Sequence, residues 1–374
     1  MSAQDYGIYV HIPWCRVRCP YCSFVVERDK DVDWDAFVDS VLDEYTLRKA
    51  DFGPHPKTIY LGGGTPSRMP PRVLRRLLHH LPSPMEPDGE VSLEANPEDV
   101  TARWLTNAIE SGVNRLSLGI QTFNPGFARL LNRAHTVRQA RDTVARVAAA
   151  DLRSWSVDVI FALPGQTLDD LRVDIQAIIE TEPPHVSLYG LTFEANTPYA
   201  RARQRGQLEP PDDELWREMY DLLVHNLHQA RLIRYETSNF ACVGHQSEHN
   251  SSYWSDRPYM GLGPGAHGYA PDGRRWVNPR GIRPPGEPVD RGERPEALAQ
   301  ATDLILSTLR FAGGLDLHTL FTKTGFAIPQ AAIDPLITNG LAEQHGFRIF
   351  LSEAGFPLGD AVVRHLTDAL KSSG

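Results

Sequence analysis

Short β-branched or apolar runs recur at residues 8–12, 58–61, 91–93, 116–120, 157–161 and 186–188, and segments with helical periodicity separate them. The helical segments cover residues 35–49, 71–81, 102–112, 137–150 and 168–180. Thr101 and Thr167 stand where helices take their N-caps, and Gly112 stands where one ends. This alternation constrains the fold more than any other feature. Consecutive parallel strands need crossovers of one hand, so six such βα units predict either an open doubly wound sheet or a barrel. In a barrel the chemistry gathers where strands end. Polar residues do collect there: "CRVRCPYC" follows the first run, "GGGTP" the second, Glu94 the third and Gln121 the fourth, while Asp158 lies within the fifth.

Composition shifts after Tyr235. Residues 235–269 are rich in Gly, Ser, Asn and aromatics, and the Pro- and Arg-rich residues 278–295 read as a linker. Beyond it, helical character over 295–309, 315–324 and 329–339 precedes an alternating stretch, 340–356, that predicts a short hairpin. The expected organisation is a barrel over 1–235, a segment packing at its mouth over 236–295, and a small winged-helix-like α+β domain over 296–374. No apolar run approaches the roughly 18 residues of a membrane span. The start, "MSAQDYGIYVHIPWC", lacks the regions of a secretory signal, so a cytoplasmic location is expected. The net charge of -9 argues against non-specific attraction to nucleic acid.

Three of the four cysteines, Cys15, Cys19 and Cys22, form a C-x3-C-x2-C cluster, and Cys242 stands apart as a structural thiol. Neighbours so close favour a shared metal in a reducing compartment over a disulfide framework. Thiolates suit zinc, copper(I) or iron-sulfur clusters. A closed zinc site takes four protein ligands, with His11 or His249 as the fourth. A [4Fe-4S] cluster on three thiolates instead leaves one iron open to a small chelator. The residues alone leave both readings standing.

The cysteine spacing, Tyr21 before the last cysteine and "GGGTP" at the next strand end together resemble the radical SAM superfamily. The resemblance is closest to its HemN-like group and, within that, to the HemW family of haem chaperones. It runs through nearly the whole chain, in "IYVHIPWCRVRCPYCSF", "YLGGGTPS", "LEANPED", "LSLGIQTFN", "DVIFALPGQT", "YETSNFA", "HNSSYW" and "YMGLGPGAHGY". It implies a partial (β/α)6 barrel with a winged-helix-like C-terminal domain. It also implies a [4Fe-4S] cluster on Cys15, Cys19 and Cys22 with S-adenosylmethionine on the open iron. An external electron donor would reduce that centre, and cleavage of the sulfonium would give methionine and a 5'-deoxyadenosyl radical.

The same resemblance assigns cofactor contacts. Tyr9 and Tyr21 would line the cofactor, and Gly62, Gly63, Gly64 and Thr65 would let main chain approach its methionine end. Glu94, Gln121, Arg133 and Asp158 would bind it, carboxylates accepting from ribose or amino groups and Arg133 pairing with a carboxylate. Each also suits a structural role inside a barrel. "HNSSYW" matches an H-N-x-x-Y-W element associated with haem, which implies His249 as an iron ligand beside the flat faces of Tyr253 and Trp254. A histidine among aromatics is also commonly just a packed residue. Phe24 stands where porphyrinogen-oxidising relatives usually carry another cysteine. That favours delivery of haem to acceptor hemoproteins, with peripheral contact at membrane hemoproteins, over a SAM-cleaving enzyme. The alternative is a HemN-like coproporphyrinogen III oxidase or radical SAM methyltransferase.

Overall fold

In the computed structural model, residues 5–84 and 89–372 are described. Strands β1 (Gly7–Ile12), β2 (Thr58–Gly63), β3 (Glu90–Ala95), β4 (Arg115–Gln121), β5 (Ser154–Phe161) and β6 (His185–Gly190) pair in sequence order, every pair parallel. All the expected runs are strands, each longer than its apolar centre. Between them run helices Trp34–Arg48, Pro71–His80, Ala102–Glu110, Val137–Ala148 and Leu168–Thr181. Thr101 accepts from the Trp104 amide, Thr167 forms a capping box with Asp170, and Gly112 takes φ 105° just beyond its helix. Helix Asp213–Gln229 completes the sixth unit, laying Leu215, Met219, Leu223 and Leu227 along one stripe.

The period of two along each strand sorts side chains by face. Ile8, Val10, Ile59, Leu61, Leu93, Leu116, Leu118, Val157, Val159 and Val186 are buried in the main core. The alternate positions, among them Tyr9, Tyr60, Glu94, Ser117, Asp158 and Ser187, turn to the concave face and meet one another there.

The sheet does not close. Beyond β6 it continues through antiparallel strands Asn239–Ala241 and Ile233–Arg234. Beyond β1 it continues through Tyr259–Leu262, parallel to β1, and then antiparallel His267–Tyr269 and Arg275–Val277. The barrel is therefore partial, with a lateral opening, and its sheet runs past residue 235 without a break. Residues 278–295 lie along the first helix: Arg283 pairs with Asp43 at 2.5 Å, Arg291 with Asp51 at 2.7 Å, and Asn278 joins Glu44 and Arg48.

Helices Ala297–Leu309, Leu317–Thr324, Gln330–Thr338 and Gly359–Asp368 enclose a second hydrophobic core with a three-stranded sheet whose hairpin is Ala342–His345 and Arg348–Leu351. This unit docks on the barrel flank through the Ala312 amide on the Tyr235 carbonyl at 2.9 Å, and through Lys323 on Asp256 at 2.5 Å. Among the described residues no helix is long and apolar enough to cross a membrane.

Candidate functional site

The cysteine loop leaves β1 and is fixed at both ends. Gly64 donates to the Ile12 carbonyl at 2.8 Å, Glu27 to that of Pro13 at 2.7 Å, and Asp29 to that of Cys15 at 3.1 Å. Cys15, Cys19 and Cys22 are half-buried thiols that feel one another's charge. Burial pushes the Cys15 thiol up to about 11 and raises Cys22 as well, against the pull of the Arg133 guanidinium. Cationic iron would reverse that, because metal coordination deprotonates a thiol outright. Arg133 Nη1 donates to Cys19 Sγ at 3.3 Å, and the buried Nε of the same side chain has no partner.

The surroundings of the thiols bear on the two metal readings. Among the described residues no three His, Cys, Asp or Glu side chains converge as ligands of a single ion. Neither candidate for a fourth zinc ligand is presented to the thiols. His11 Nε2 donates to the Val25 carbonyl at 2.9 Å, so its Nδ1 accepts from the Tyr9 hydroxyl at 2.9 Å. His249 bonds Thr58 at 2.7 Å and Tyr253 at 2.8 Å. Three soft donors with no fourth fit a cluster with one open iron better than a closed zinc site.

The other predicted residues surround this loop at the strand ends. Gly63 takes φ 111°, and a Cβ there would lie 2.4 Å from the His11 ring; one on Gly64 would lie 2.7 Å from the Ile12 carbonyl oxygen. These glycines let β2 pass against the start of the cysteine loop. The Gly63 amide is already given to Glu94 at 3.0 Å, and Thr65 contacts both Cys15 and Asn96. Arg133 reaches the cysteine loop and the end of β4, donating to Asn96 at 2.5 Å and to the Gly119 carbonyl at 2.8 Å. Gln121 ends β4 at φ 72°, beside a register shift, a left-handed conformation that non-glycine residues hold only under constraint. Tyr21 packs beneath the loop near Tyr199, with burial raising its phenol.

Glu94 and Asp158 share the concave face. Asp158 accepts from Ser117 at 2.9 Å, with Ser156 and Ser187 completing its cradle, and burial raises it to about 6. Burial raises Glu94 from 4.5 to about 7, against bonds from the Tyr60 hydroxyl at 2.8 Å and the Gly63 amide. The cradle residues Asn96, Ser117, Ser156, Ser187 and Tyr60 are absent from the sequence-predicted set. Their signal was small or polar residues at every second position of consecutive strands.

The raised Glu94 has a defined pH signature. Between its unfolded value of 4.5 and about 7 the folded chain holds a proton that the unfolded chain has released, so stability falls as pH rises through that window. Glu94→Gln keeps an acceptor and removes the charge. Its stability relative to wild type is expected to improve by on the order of 1–3 kcal/mol between pH 5 and pH 8. Urea melts at the two pH values measure this, and an unchanged difference between the proteins would refute it.

His249 is not placed as the resemblance implied. The ring is 0% exposed, both nitrogens are hydrogen-bonded, and it stacks on Tyr60 with centroids 5.0 Å apart. Burial pushes its imidazole down to about 3. Thr58 and Gly7, its neighbours, begin β2 and β1, so the ring plugs the strands' starting end and offers no lone pair to a ligand. Tyr253 and Trp254 from the same helix do face open space. They line a cavity of about 1160 Å³ on the lateral opening, between the strands at 259–277 and helix Ala297–Leu309. Tyr259 meets Tyr253 edge-on at 4.6 Å, and Tyr269 extends the wall. Ser23, Phe24 and Val25, directly after Cys22, also line it, with Phe24 64% exposed. Cys242 is a free thiol packed against the main core, remote in sequence from this loop.

Known proteins resemble this chain in sequence and in fold. The family model of the radical SAM superfamily matches residues 9–178. The chain is 32% identical to the heme chaperone HemW of Lactococcus lactis subsp. lactis, over 97% of each chain. It is 34% identical to the heme chaperone HemW of Mycobacterium tuberculosis, over 98% of this chain and 96% of the relative. Coproporphyrinogen III oxidase (HemN) from Escherichia coli superposes with a TM-score of 0.81, covering 98% of this chain and 90% of that one at 19% identity, a likeness of fold.

Proposed function

The chain belongs to the HemW family of the radical SAM superfamily, and on that premise we propose that it binds haem and passes it to acceptor hemoproteins while carrying a [4Fe-4S] cluster and S-adenosylmethionine. The observation that carries this reading is one of continuity. The loop bearing the three thiols runs straight into an aromatic cavity of about 1160 Å³, through Ser23, Phe24 and Val25. A pocket of that size with aromatic walls suits a large flat macrocycle.

Cys15, Cys19 and Cys22 would hold the cluster. Bound there, cluster and S-adenosylmethionine would supply one-electron cleavage of the sulfonium, with the electron arriving from an external donor. The protein's part is to bind and orient. Arg133, with its unused buried Nε, would balance the charge of a coordinated Cys19 and donate to a carboxylate. Glu94, Asp158 and Gln121 supply acceptors at the mouth. Gly62 to Thr65 keep the main chain of β2 close beneath the loop, and Tyr9 and Tyr21 flank it. The acceptor is a hemoprotein, in solution or at a membrane surface.

The experiment uses anaerobically reconstituted, reduced protein with S-adenosylmethionine and either haem or coproporphyrinogen III. A shifted Soret band that disappears on adding an apo-hemoprotein, with no porphyrin product, supports haem transfer. Decarboxylated porphyrinogen would overturn it in favour of an oxidase.

A further inference from the structure

We infer that His267 is the axial ligand to haem iron in the lateral cavity and that Arg257 meets the macrocycle's carboxylates there. The assignment rests on the proposed haem binding and replaces the buried His249. An iron porphyrin asks four things of a site: room, flat apolar walls, an imidazole with an available lone pair, and a cation for its acidic edge. The cavity provides the first two. Of the 14 histidines, His11 and His267 line it. His11 has both nitrogens committed, to Tyr9 and Val25. The exposed His267 ring has no hydrogen-bond partner among the described residues.

Strand geometry explains why His267 faces the cavity. It begins strand His267–Tyr269, in which Gly268 turns to the opposite face: a Cβ there would lie 2.0 Å from the buried Trp276 ring. His267 and Tyr269 therefore project together, away from Trp276. The backbone beneath is clamped. His267 pairs with Val277, and a Cβ on Gly261 would sit 1.8 Å from the His267 carbonyl oxygen. A rigid strand thus presents an imidazole with nothing bound to it, the arrangement that costs least to ligate.

The cation follows by the same accounting. Three arginines line the cavity, Arg257, Arg275 and Arg310. Arg275 is paired with Asp303 and Arg310 with Asp360, whereas the Arg257 guanidinium has no partner among the described residues. Asp256, its neighbour, is held by Lys323 and the Tyr269 hydroxyl. An available guanidinium three residues from the Trp254 face suits a ligand that is flat on one side and anionic at its edge.

Haemin titrated into the full chain tests both residues. His267→Ala is expected to keep its circular dichroism and cluster content, to shift the Soret maximum and to raise the haem Kd at least tenfold, with added imidazole restoring the wild-type spectrum. Arg257→Gln is expected to weaken haem severalfold and leave haem dimethyl ester unaffected. If wild type binds haem and His267→Ala keeps its Soret position and affinity, the assignment is overturned and haem binding stands. If wild type binds no haem, the proposed function itself fails.

Discussion

Cys19→Ala protein, purified and reconstituted without oxygen, is expected to hold almost no iron or acid-labile sulfide, against about four of each per wild-type chain. The three thiols on this loop are its full set, because Cys242 packs against the barrel core elsewhere in the chain. Losing one leaves two ligands for a cluster that already lacks a fourth. Cys19 is the most telling of the three because Arg133 donates to its sulfur, so the substitution also leaves Nη1 of that guanidinium without its partner while Nη2 keeps Asn96 and the Gly119 carbonyl. Cys242→Ala should keep full iron and the brown colour. The loop is half-exposed and anchored by backbone bonds, so far-ultraviolet dichroism should be unchanged in both variants. Undiminished iron and sulfide in Cys19→Ala would refute the three-thiol anchor; zinc without iron in wild type would refute the cluster.

The six barrel strands and their crossover helices are legible in the sequence because each is a local pattern: an apolar core a few residues long, then a capped amphipathic stripe. Strand-end placement follows from the same pattern, which is why Cys15, Glu94, Gln121 and Asp158 could be expected at one mouth. What local pattern cannot carry is long-range pairing. Strand Tyr259–Leu262 lies parallel to β1, from which about 250 residues separate it. The lateral cavity is built on that pairing, so its walls were not visible in advance. The expected boundary at residue 235 likewise follows a change of composition, while the sheet continues through it.

His249 shows the other limit. The motif "HNSSYW" fixes a helix, Glu248–Trp254, and hence that residues 249 and 253 share a face. It does not fix which residue of that face meets the cavity. Glu90 does: its carboxylate takes the amides of Glu248 and His249 and the Ser247 hydroxyl, which seats the helix start beneath β3 and drives His249 into the core. Asp158 reads differently again. Its position inside an apolar strand suggested a functional carboxylate, and the serines that offset its burial come from its own strand (Ser156) and the two beside it (Ser117 and Ser187).

Gly63→Ala is expected to lose about 3–5 kcal/mol of stability, against about 1–3 kcal/mol for Gly112→Ala. The two glycines share nearly the same positive φ, 111° and 105°, a region in which an added Cβ is strained at either position. They differ in what the Cβ meets. At Gly112 nothing lies within 4 Å; at Gly63 the His11 ring lies at 2.4 Å. That ring cannot swing aside without breaking its bonds to the Tyr9 hydroxyl and the Val25 carbonyl. Val25 sits three residues after Cys22, so the strain passes into the thiol loop. Gly63→Ala should therefore also reconstitute less cluster, while Gly112→Ala reconstitutes normally. Urea midpoints and iron content for the pair separate the steric cost from the conformational one. Equal losses of stability at both positions would mean that the His11 ring yields freely, and that these glycines do not set the geometry of the cysteine loop.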